Sequence, residues 1–255
     1  MNPKKHRPFI TLTIIVILWA LLAPLYPALI LPSPNKVFTQ VFALLQDNQA
    51  WLAFLRTLFF FICGLIGALL FGSLCGMLAG WQAVIDDYIR PIFSLIQAIP
   101  PISWIVLSIL WFGNTGGTQI FIMMMTLSPI YFFNIVKGIQ QTPLALIEVA
   151  QCFAVSNSKR IKDIYIPSVI PYFHTALILT TSMGWKTIVM AEILIGAQGI
   201  GYEMNQARIF FNTVHVLAWT VLLAIVGLLL EKLIRYLITK KGYYNAHSSY
   251  YMYTK

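Results

Sequence analysis

Long apolar stretches separated by short polar segments dominate the pattern of this chain. Crossing the roughly 30 Å hydrocarbon core of a bilayer takes about 20 apolar residues in a helix. Stretches of about that length, with few or no charges, run approximately over Phe9 to Leu31, Leu55 to Ala79, Ile92 to Phe112, Gln119 to Val136, Val169 to Leu194 and Val216 to Ile238. The pattern predicts an all-α, polytopic membrane protein with about six transmembrane helices in a single domain over residues 1–255.

Composition and charge placement agree with this interpretation. Hydrophobic residues make up 59% and charged residues 10% of the chain, against about 25% charged in soluble domains. The net charge of +9 does not indicate a nucleic-acid partner, because the basic residues cluster on one side of the predicted spans. With the amino terminus inside, the cytoplasmic segments hold Lys4, Lys5, Arg7, Arg90, Lys137, Lys159, Arg160, Lys162, Lys232, Arg235, Lys240, Lys241 and Lys255, against Lys36, Arg56 and Arg208 outside. Both termini are therefore predicted to be cytoplasmic.

The first apolar stretch has a second interpretation, because basic residues before an apolar run also begin a secretory signal peptide. Its run is longer than the roughly 7 to 15 residues of a signal core, and Leu31 to Pro34 supplies no small-residue cleavage site. We expect a retained helix.

Two adjacent prolines interrupt the third stretch. Pro100 and Pro101, followed by Ser103, remove two backbone donors and predict a break or kink. Irregular backbone at membrane depth is tolerated where protein or a water-filled cavity satisfies it. The break is a candidate wall of a transport pathway, and a purely structural kink is the alternative.

The fifth stretch carries two charged residues, Lys186 and Glu192, in an otherwise apolar run. A charge inside a span costs roughly 2.5 to 3.5 kcal/mol at mid-helix and usually faces a cavity or a partner. Lys186 is the strongest single candidate for a functional residue in the bilayer, the alternative being a lysine that only fixes the rotation of its helix.

Small residues recur at every fourth position of the second stretch, at Gly64, Ala68, Gly72, Gly76 and Gly80. Such faces allow helices to approach closely in lipid. Packing inside one bundle is favoured over dimerisation.

The polar segment 142–167, called the coupling loop below, predicts a helix, a turn and a second helix. Thr142 and Pro143 are typical of an N-cap and a first helical residue, with the first helix ending near Val155. A turn at residues 156–158 precedes a second helix over residues 159–165, and Pro167 disfavours its continuation. The first helix is too apolar to stand in water, so its own bundle, a partner groove, or both cover it.

The spacing in this loop resembles the EAA motif of ATP-binding-cassette (ABC) importer permeases. That motif is Glu-Ala-Ala, three residues, Gly, nine residues, Ile-x-Leu-Pro. The positions that match it are Glu148, Ala150, Ile164 and Pro167, and those that carry a substitution are Val149, Ala154 and Ile166. Ala154 replaces the motif's glycine and gives up that residue's freedom at positive φ.

The resemblance extends over nearly the whole chain, to the nitrate, sulfonate, taurine and thiamine-precursor permease group. It rests on Leu31 to Pro34, Pro100-Pro101 followed by Leu110 to Gly113, and Ala191-Glu192 followed by Gly199 to Gly201. It implies the MetI-like fold of type I ABC importers and a multi-pass location in a prokaryotic plasma (inner) membrane.

The resemblance also implies partners and a division of labour. The chain would be a non-catalytic permease that works with two ABC ATPase subunits, a second permease copy or a sister permease, and a periplasmic or lipoprotein solute-binding protein. The solute would be an anion such as sulfonate, nitrate or taurine, or a thiamine pyrimidine precursor. The chain contains no G-x-x-x-x-G-K-[ST] phosphate loop of its own.

Candidate site residues follow in three groups. Those for coupling to the ATPase are Glu148, Val149, Ala150, Ala154, Ile164 and Pro167. Those for the pathway are Pro100, Pro101, Ser103, Lys186 and Glu192. In the predicted outer loop, Asn205 and Arg208 are candidates for contact with an anion or the binding protein.

Two other classes of membrane protein fit the sequence less well. A secondary transporter working without ATP is the alternative function, but the inverted repeats typical of that class are absent. A membrane enzyme needs a cluster of catalytic groups, whereas the histidines and cysteines are scattered without ligand spacing. We expect neither a metal nor a cofactor.

Overall fold

A computed structural model describes residues 7–250 of the protein, and its side chains over residues 10–238. Lys4, Lys5 and Lys255, which contribute to the predicted orientation, lie outside the described residues. The helices are α1 (Arg7–Leu22), α2 (Pro34–Gln46), α3 (Asn48–Trp81), α4 (Ala83–Ala98), α5 (Pro101–Phe112), α6 (Gly116–Gln140), α7 (Leu144–Cys152), α8 (Asn157–Arg160), α9 (Ile166–Ile195), α10 (Ile200–Ile209) and α11 (Thr213–Tyr250). No strand occurs between residues 7 and 250. The all-α prediction is confirmed.

Four of the predicted spans lie in helices that are long and apolar enough to cross a membrane. Among the described residues these are Asn48–Trp81, Gly116–Gln140, Asn157–Ile195 and Thr213–Ile238. The pair α4 and α5 adds a fifth span if it is counted as one bent crossing. The chain is thus a multi-pass membrane protein.

The first predicted span is shorter in the structure than its apolar stretch. Helix α1 ends at Leu22, and a 3₁₀ turn over Ala23–Leu25 follows. Tyr26 is extended, with φ −124° and ψ 150°, because the residue before a proline, here Pro27, is sterically kept out of the helical region. The helical part therefore stops short of the predicted end at Leu31.

The described chain falls into two compact units. One runs up to Thr57 and continues over Glu192–Val226, and the other consists of Leu58–Ala191 and the chain from Gly227 onward. Helices α3, α9 and α11 each pass from one unit into the other. The expectation of a single domain over residues 1–255 stays a prediction.

The small-residue face of α3 packs against α6 within the second unit. A Cβ at Gly72 would overlap the backbone oxygen of Ser128, and one at Gly76 would lie 2.9 Å from the backbone oxygen of Phe132. Ala68, on the same face, is fully buried. The prediction that this face packs inside the bundle is confirmed, and the physical reason is backbone-to-backbone approach that any larger side chain prevents.

The predicted break at the two prolines is also confirmed. Helices α4 and α5 meet at 95° across Ile99 and Pro100. Ile99 is extended at φ −74° and ψ 124°, as expected before proline, while Pro101 takes the first turn of α5, where no backbone donor is needed. The Ser103 N–H donates to the Pro100 carbonyl at 2.9 Å, which closes the first turn after the bend.

Candidate functional site

Helix α7 forms the first half of the coupling loop and begins one residue later than predicted. Pro143 occupies the N-cap position and Leu144 is the first helical residue. The Thr142 hydroxyl does not cap α7, because it lies 3.5 Å from the Gly138 carbonyl of the preceding helix. The difference arises because a threonine hydroxyl can bond back to the carbonyl four residues earlier as readily as forward to a new helix.

Most of the surface of α7 is uncovered, apart from a strip at Ile147 and Ala150. Leu144 is 74% exposed and Val149 54%, and Phe153, which follows the last helical residue, is 79% exposed, whereas Ala150 is only 5% exposed. Glu148 is exposed as well. The chain's own bundle therefore covers only the side of α7 at Ala150 and leaves a mostly apolar surface with an acidic residue open.

Ala154 ends α7 in the left-handed conformation that the glycine of the resembling motif would adopt freely. Its φ is +47°. The Val155 N–H donates to the Ala150 carbonyl at 2.9 Å and the Ala154 N–H to the Gln151 carbonyl at 3.0 Å. This is the Schellman pattern of helix termination. The geometry of the turn survives the substitution, at the cost of a backbone conformation that L-residues disfavour.

The second half of the coupling loop departs from the prediction. The predicted second helix begins at Asn157, continues as a π-helical turn over Ile161–Tyr165 and joins α9 without a break. Pro167 does not end the helix, so that expectation is wrong. The wider π turn directly before it relaxes the helical hydrogen-bond pattern that proline would otherwise interrupt. Ile164 is half-buried here and Pro167 is exposed.

Lys186 lies on an exposed face of α9. Leu179, Met183 and Met190 share that face at helical spacing and are 46%, 47% and 39% exposed. The neighbouring residues Trp185 and Thr187 point into the second unit and are buried. No carboxylate of the described residues lies within ion-pair distance of the Lys186 ammonium. The positive charge is thus presented outward from an apolar helix.

Glu192 is buried in a hydrogen-bond network of the first unit. Its Oε2 accepts a hydrogen bond from the Thr57 hydroxyl at 2.8 Å and another from the Gly201 N–H at 3.0 Å. The Thr57 oxygen also accepts from the Ile200 N–H at 2.9 Å. Helix α10 begins at Ile200, so these two side chains satisfy backbone donors at its N-terminus.

The sharp turn before α10 is built around the same carboxyl group. Gly199 has φ +99°, and a Cβ there would overlap the Glu192 carboxylate. Only glycine meets both requirements. The spacing from Ala191-Glu192 to Gly199 and Gly201 thereby has a local explanation. Thr57, which completes the network, was not predicted from the sequence, because a threonine in an apolar stretch carries no signal of its own.

The two predicted outer-loop residues contact each other on α10. The Arg208 Nε and Nη2 donate to the Asn205 Oδ1 at 3.2 and 2.8 Å. Arg208 also lines a surface cavity of about 400 Å³ together with Leu29 and Phe211. Of the pathway candidates, Pro100 and Pro101 are exposed and Ser103 is half-buried. Pro100, Pro101, Ser103 and Lys186 belong to the second unit, and Glu192, Asn205 and Arg208 belong to the first.

The family model of the binding-protein-dependent transport system inner membrane component matches residues 68–242, more than half of the chain. The chain belongs to this family. Curated relatives include the nitrate import permease protein NrtB of Synechocystis sp., 27% identical over 92% of this chain and 89% of its own length. The taurine transport system permease protein TauC of Escherichia coli is 26% identical over 87% of this chain and 83% of its own length.

The fold is also found in solved structures. A chain from an inward-facing structure of the MetNI methionine ABC transporter superposes with a TM-score of 0.63, at 18% identity, over 72% of this chain and 92% of that chain. A second crystal form of the same transporter gives a TM-score of 0.58. The MetI-like permease fold expected from the sequence is confirmed.

Family membership decides the general function. The protein is a permease subunit of an ATP-driven ABC importer in the inner membrane, and works in general with ATPase and binding-protein partners. It is a non-catalytic component, because ATP hydrolysis belongs to a separate subunit. The EAA motif, which the coupling loop resembles, is typical of this family.

Proposed function

We propose that this permease imports a small anion delivered by a binding protein. The observation that carries the proposal is Lys186, an exposed ammonium on the apolar surface of a spanning helix, with no carboxylate at ion-pair distance between residues 10 and 238. A charge in that setting requires a water-filled cavity or an oppositely charged partner, and an anionic solute in transit supplies such a partner. The names of the relatives, which specify nitrate and taurine, support solutes of this kind.

The same proposal assigns roles to the other pathway candidates. The bend at Pro100 and Pro101, with Ser103 just after it, leaves irregular backbone that suits a cavity wall. Glu192 is buried, so its role is to position α10 through the Gly201 N–H. Asn205 and Arg208 on α10 then offer an amide and a guanidinium to an arriving anion or to the binding protein.

The transporter is proposed to contain two permease chains, which are identical copies or sister subunits. The coupling loop of each permease chain docks on one of two ABC ATPase subunits in the cytoplasm. A helix with exposed apolar side chains suits a groove on a partner protein, and α7 presents Leu144 and Val149, with Phe153 directly after its end. Glu148 lies on the exposed surface of α7. Ala150 packs α7 against the bundle, and Ala154 ends that helix. Ile164 and Pro167 lie where the loop continues into α9. Both termini are proposed to be cytoplasmic on the basis of the distribution of lysine and arginine.

The anion proposal is tested by uptake in vesicles containing the permease, its ATPase and its binding protein. For Lys186→Met we expect uptake of nitrate or taurine to fall about tenfold or more, because hydrogen bonds to charged groups contribute roughly 1.5 to 3 kcal/mol. Met190→Leu, on the same exposed face, is the matched control and leaves uptake intact. Uptake of a neutral pyrimidine precursor that is insensitive to Lys186→Met contradicts the proposal and favours the vitamin-precursor branch of the group.

The docking proposal is tested by co-purification. Glu148→Arg reverses a charge on the open surface of α7, and we expect the ATPase subunit to be lost from the purified complex. Asp163→Arg, at an acidic position of the same loop that is also exposed but lies outside α7, retains the subunit. Solute uptake by the permease alone in vesicles without ATP would instead support the secondary-transporter alternative.

A further inference from the structure

An apolar cavity of about 390 Å³ lies between α3, the end of α6 and the start of α9, all within the second unit. Its wall includes Leu74 of α3, Ile139 of α6, and Val169 and Phe173 of α9. The remaining lining residues are apolar, apart from Ser73. Pockets of roughly 300 to 1,000 Å³ hold small organic ligands, and a wall of this composition suits a hydrocarbon chain.

Two aromatic rings mark one end of this cavity. Trp81, the last residue of α3, packs edge-on against Tyr165, with ring centroids 6.4 Å apart and planes at 88°. Both residues line the cavity. Tryptophan and tyrosine concentrate at the boundary between hydrocarbon and headgroups. The pair therefore places this end of the cavity at the membrane surface, with the rest extending toward the bilayer interior along α3 and α9.

Positive charge lies beside the same end. Lys159, Arg160 and Lys162 flank Ile161, which itself lines the cavity, and Asp163 is the acidic residue next to them. Both lysines are exposed. The Arg160 Nη2 donates to the Asn157 Oδ1, while its buried Nε has no partner in the described residues. Three basic residues against one acidic residue leave a net positive edge next to an apolar interior.

We propose that this cavity binds an anionic phospholipid, with an acyl chain between α3 and α9 and the phosphate at Lys159 and Lys162. The charge complementarity selects an anionic headgroup, since basic residues at the membrane surface attract anionic lipids. The ligand also contacts Ile161 and Tyr165, the two ends of the π-helical turn. It therefore braces the junction at which the coupling loop becomes α9.

The site is tested on the purified permease in nanodiscs. Phosphatidylglycerol with a brominated acyl chain is compared with equally brominated phosphatidylcholine, and Trp81→Phe identifies the contribution of Trp81 to tryptophan quenching. We expect stronger quenching of Trp81 by the anionic lipid, and slower hydrogen exchange over residues 157–166. Lys159→Gln with Lys162→Gln lowers the affinity for phosphatidylglycerol, measured by native mass spectrometry, about fivefold for each lysine.

A matched pair of substitutions separates the cavity from general lipid contact. Val169→Phe fills the cavity and abolishes the preference for phosphatidylglycerol. Leu228→Phe adds the same ring at a 69% exposed position of α11 that does not line the cavity, and preserves the preference. Equal quenching by the two lipids, with unchanged affinity in the double lysine variant, overturns the proposal. So does a disulfide between two copies of Val169→Cys, because a second permease then occupies the cavity.

Discussion

At the scale of single residues, two positions have a positive φ that their immediate surroundings explain. Gly199 is required because its φ is +99° and the Glu192 carboxylate occupies the place of a side chain. Ala154 has φ +47° without being glycine, because the Schellman hydrogen bonds at the end of α7 hold it there. The first position tolerates no substitution, and the second carries a residue that is not optimal for stability.

Ala154→Gly is therefore expected to stabilise the coupling loop. A left-handed conformation costs an L-residue about 1 to 2 kcal/mol, part of which glycine loses again through the entropy of its unfolded chain. We expect a net gain of about 0.5 to 1 kcal/mol in the local opening free energy of α7, measured by hydrogen exchange. Ala145→Gly, within the same helix, is the control and destabilises it by roughly 1 kcal/mol. A loss of protection in both variants contradicts the assignment.

At the scale of elements, pairs of helices are held at distances that only their smallest residues permit. The α3 and α6 backbones meet at Gly72 and Gly76, where added methyl groups would lie 3.0 Å or less from the atoms of α6. The bend between α4 and α5 follows from the opposite property, because prolines prevent a continuous helix. Both features were predicted from the sequence, since each depends on residue types at fixed local spacing.

Substitution of Gly72 tests this close approach. Gly72→Ala brings a methyl group against the Ser128 carbonyl and the Tyr131 Cβ, and overpacking of this kind costs about 1 to 3 kcal/mol. We expect a lower melting temperature in detergent, and for Gly72→Leu a loss of folded permease. Gly117→Ala is the control, because its nearest neighbouring atom is the Thr115 hydroxyl oxygen at 3.5 Å. Equal melting temperatures for Gly72→Ala and Gly117→Ala would falsify the close packing.

At the scale of the whole molecule, the orientation in the membrane decides which surfaces face which partner. The proposed orientation puts α7 in the cytoplasm with the ATPase and α10 on the opposite side. Cys152, the last residue of α7, is an exposed free thiol, whereas Cys63 and Cys75 lie in the spanning helix α3 and are less exposed. The native protein thus contains its own reporter of orientation.

We expect a membrane-impermeant maleimide to label Cys152 in inside-out vesicles and to leave it unmodified in right-side-out vesicles. The reason is that the reagent reaches only the aqueous side on which α7 lies. Cys152→Ser removes the labelling and shows that Cys63 and Cys75 do not contribute. If Cys152 is labelled only in right-side-out vesicles, the coupling loop lies outside the cell. That result overturns both the proposed orientation and the docking of the ATPase at α7.

The sequence by itself determined the features that depend on local order along the chain. Apolar length predicted the spanning helices, adjacent prolines predicted the bend, and the spacing from Glu148 to Pro167 indicated the permease family. Even the wrong expectation at Pro167 was local, and it failed because a π turn adjusts the helix before the proline.

Only the tertiary structure decided which residues meet across long separations. Thr57 and Glu192 are 135 positions apart and share a hydrogen bond, and the cavity beside the coupling loop takes its wall from three helices. Periodicity along the chain also did not determine that Lys186 points outward or that most of the surface of α7 is exposed. In an apolar chain nearly every helical face is hydrophobic, so the pattern cannot tell a face that contacts protein from one that contacts lipid.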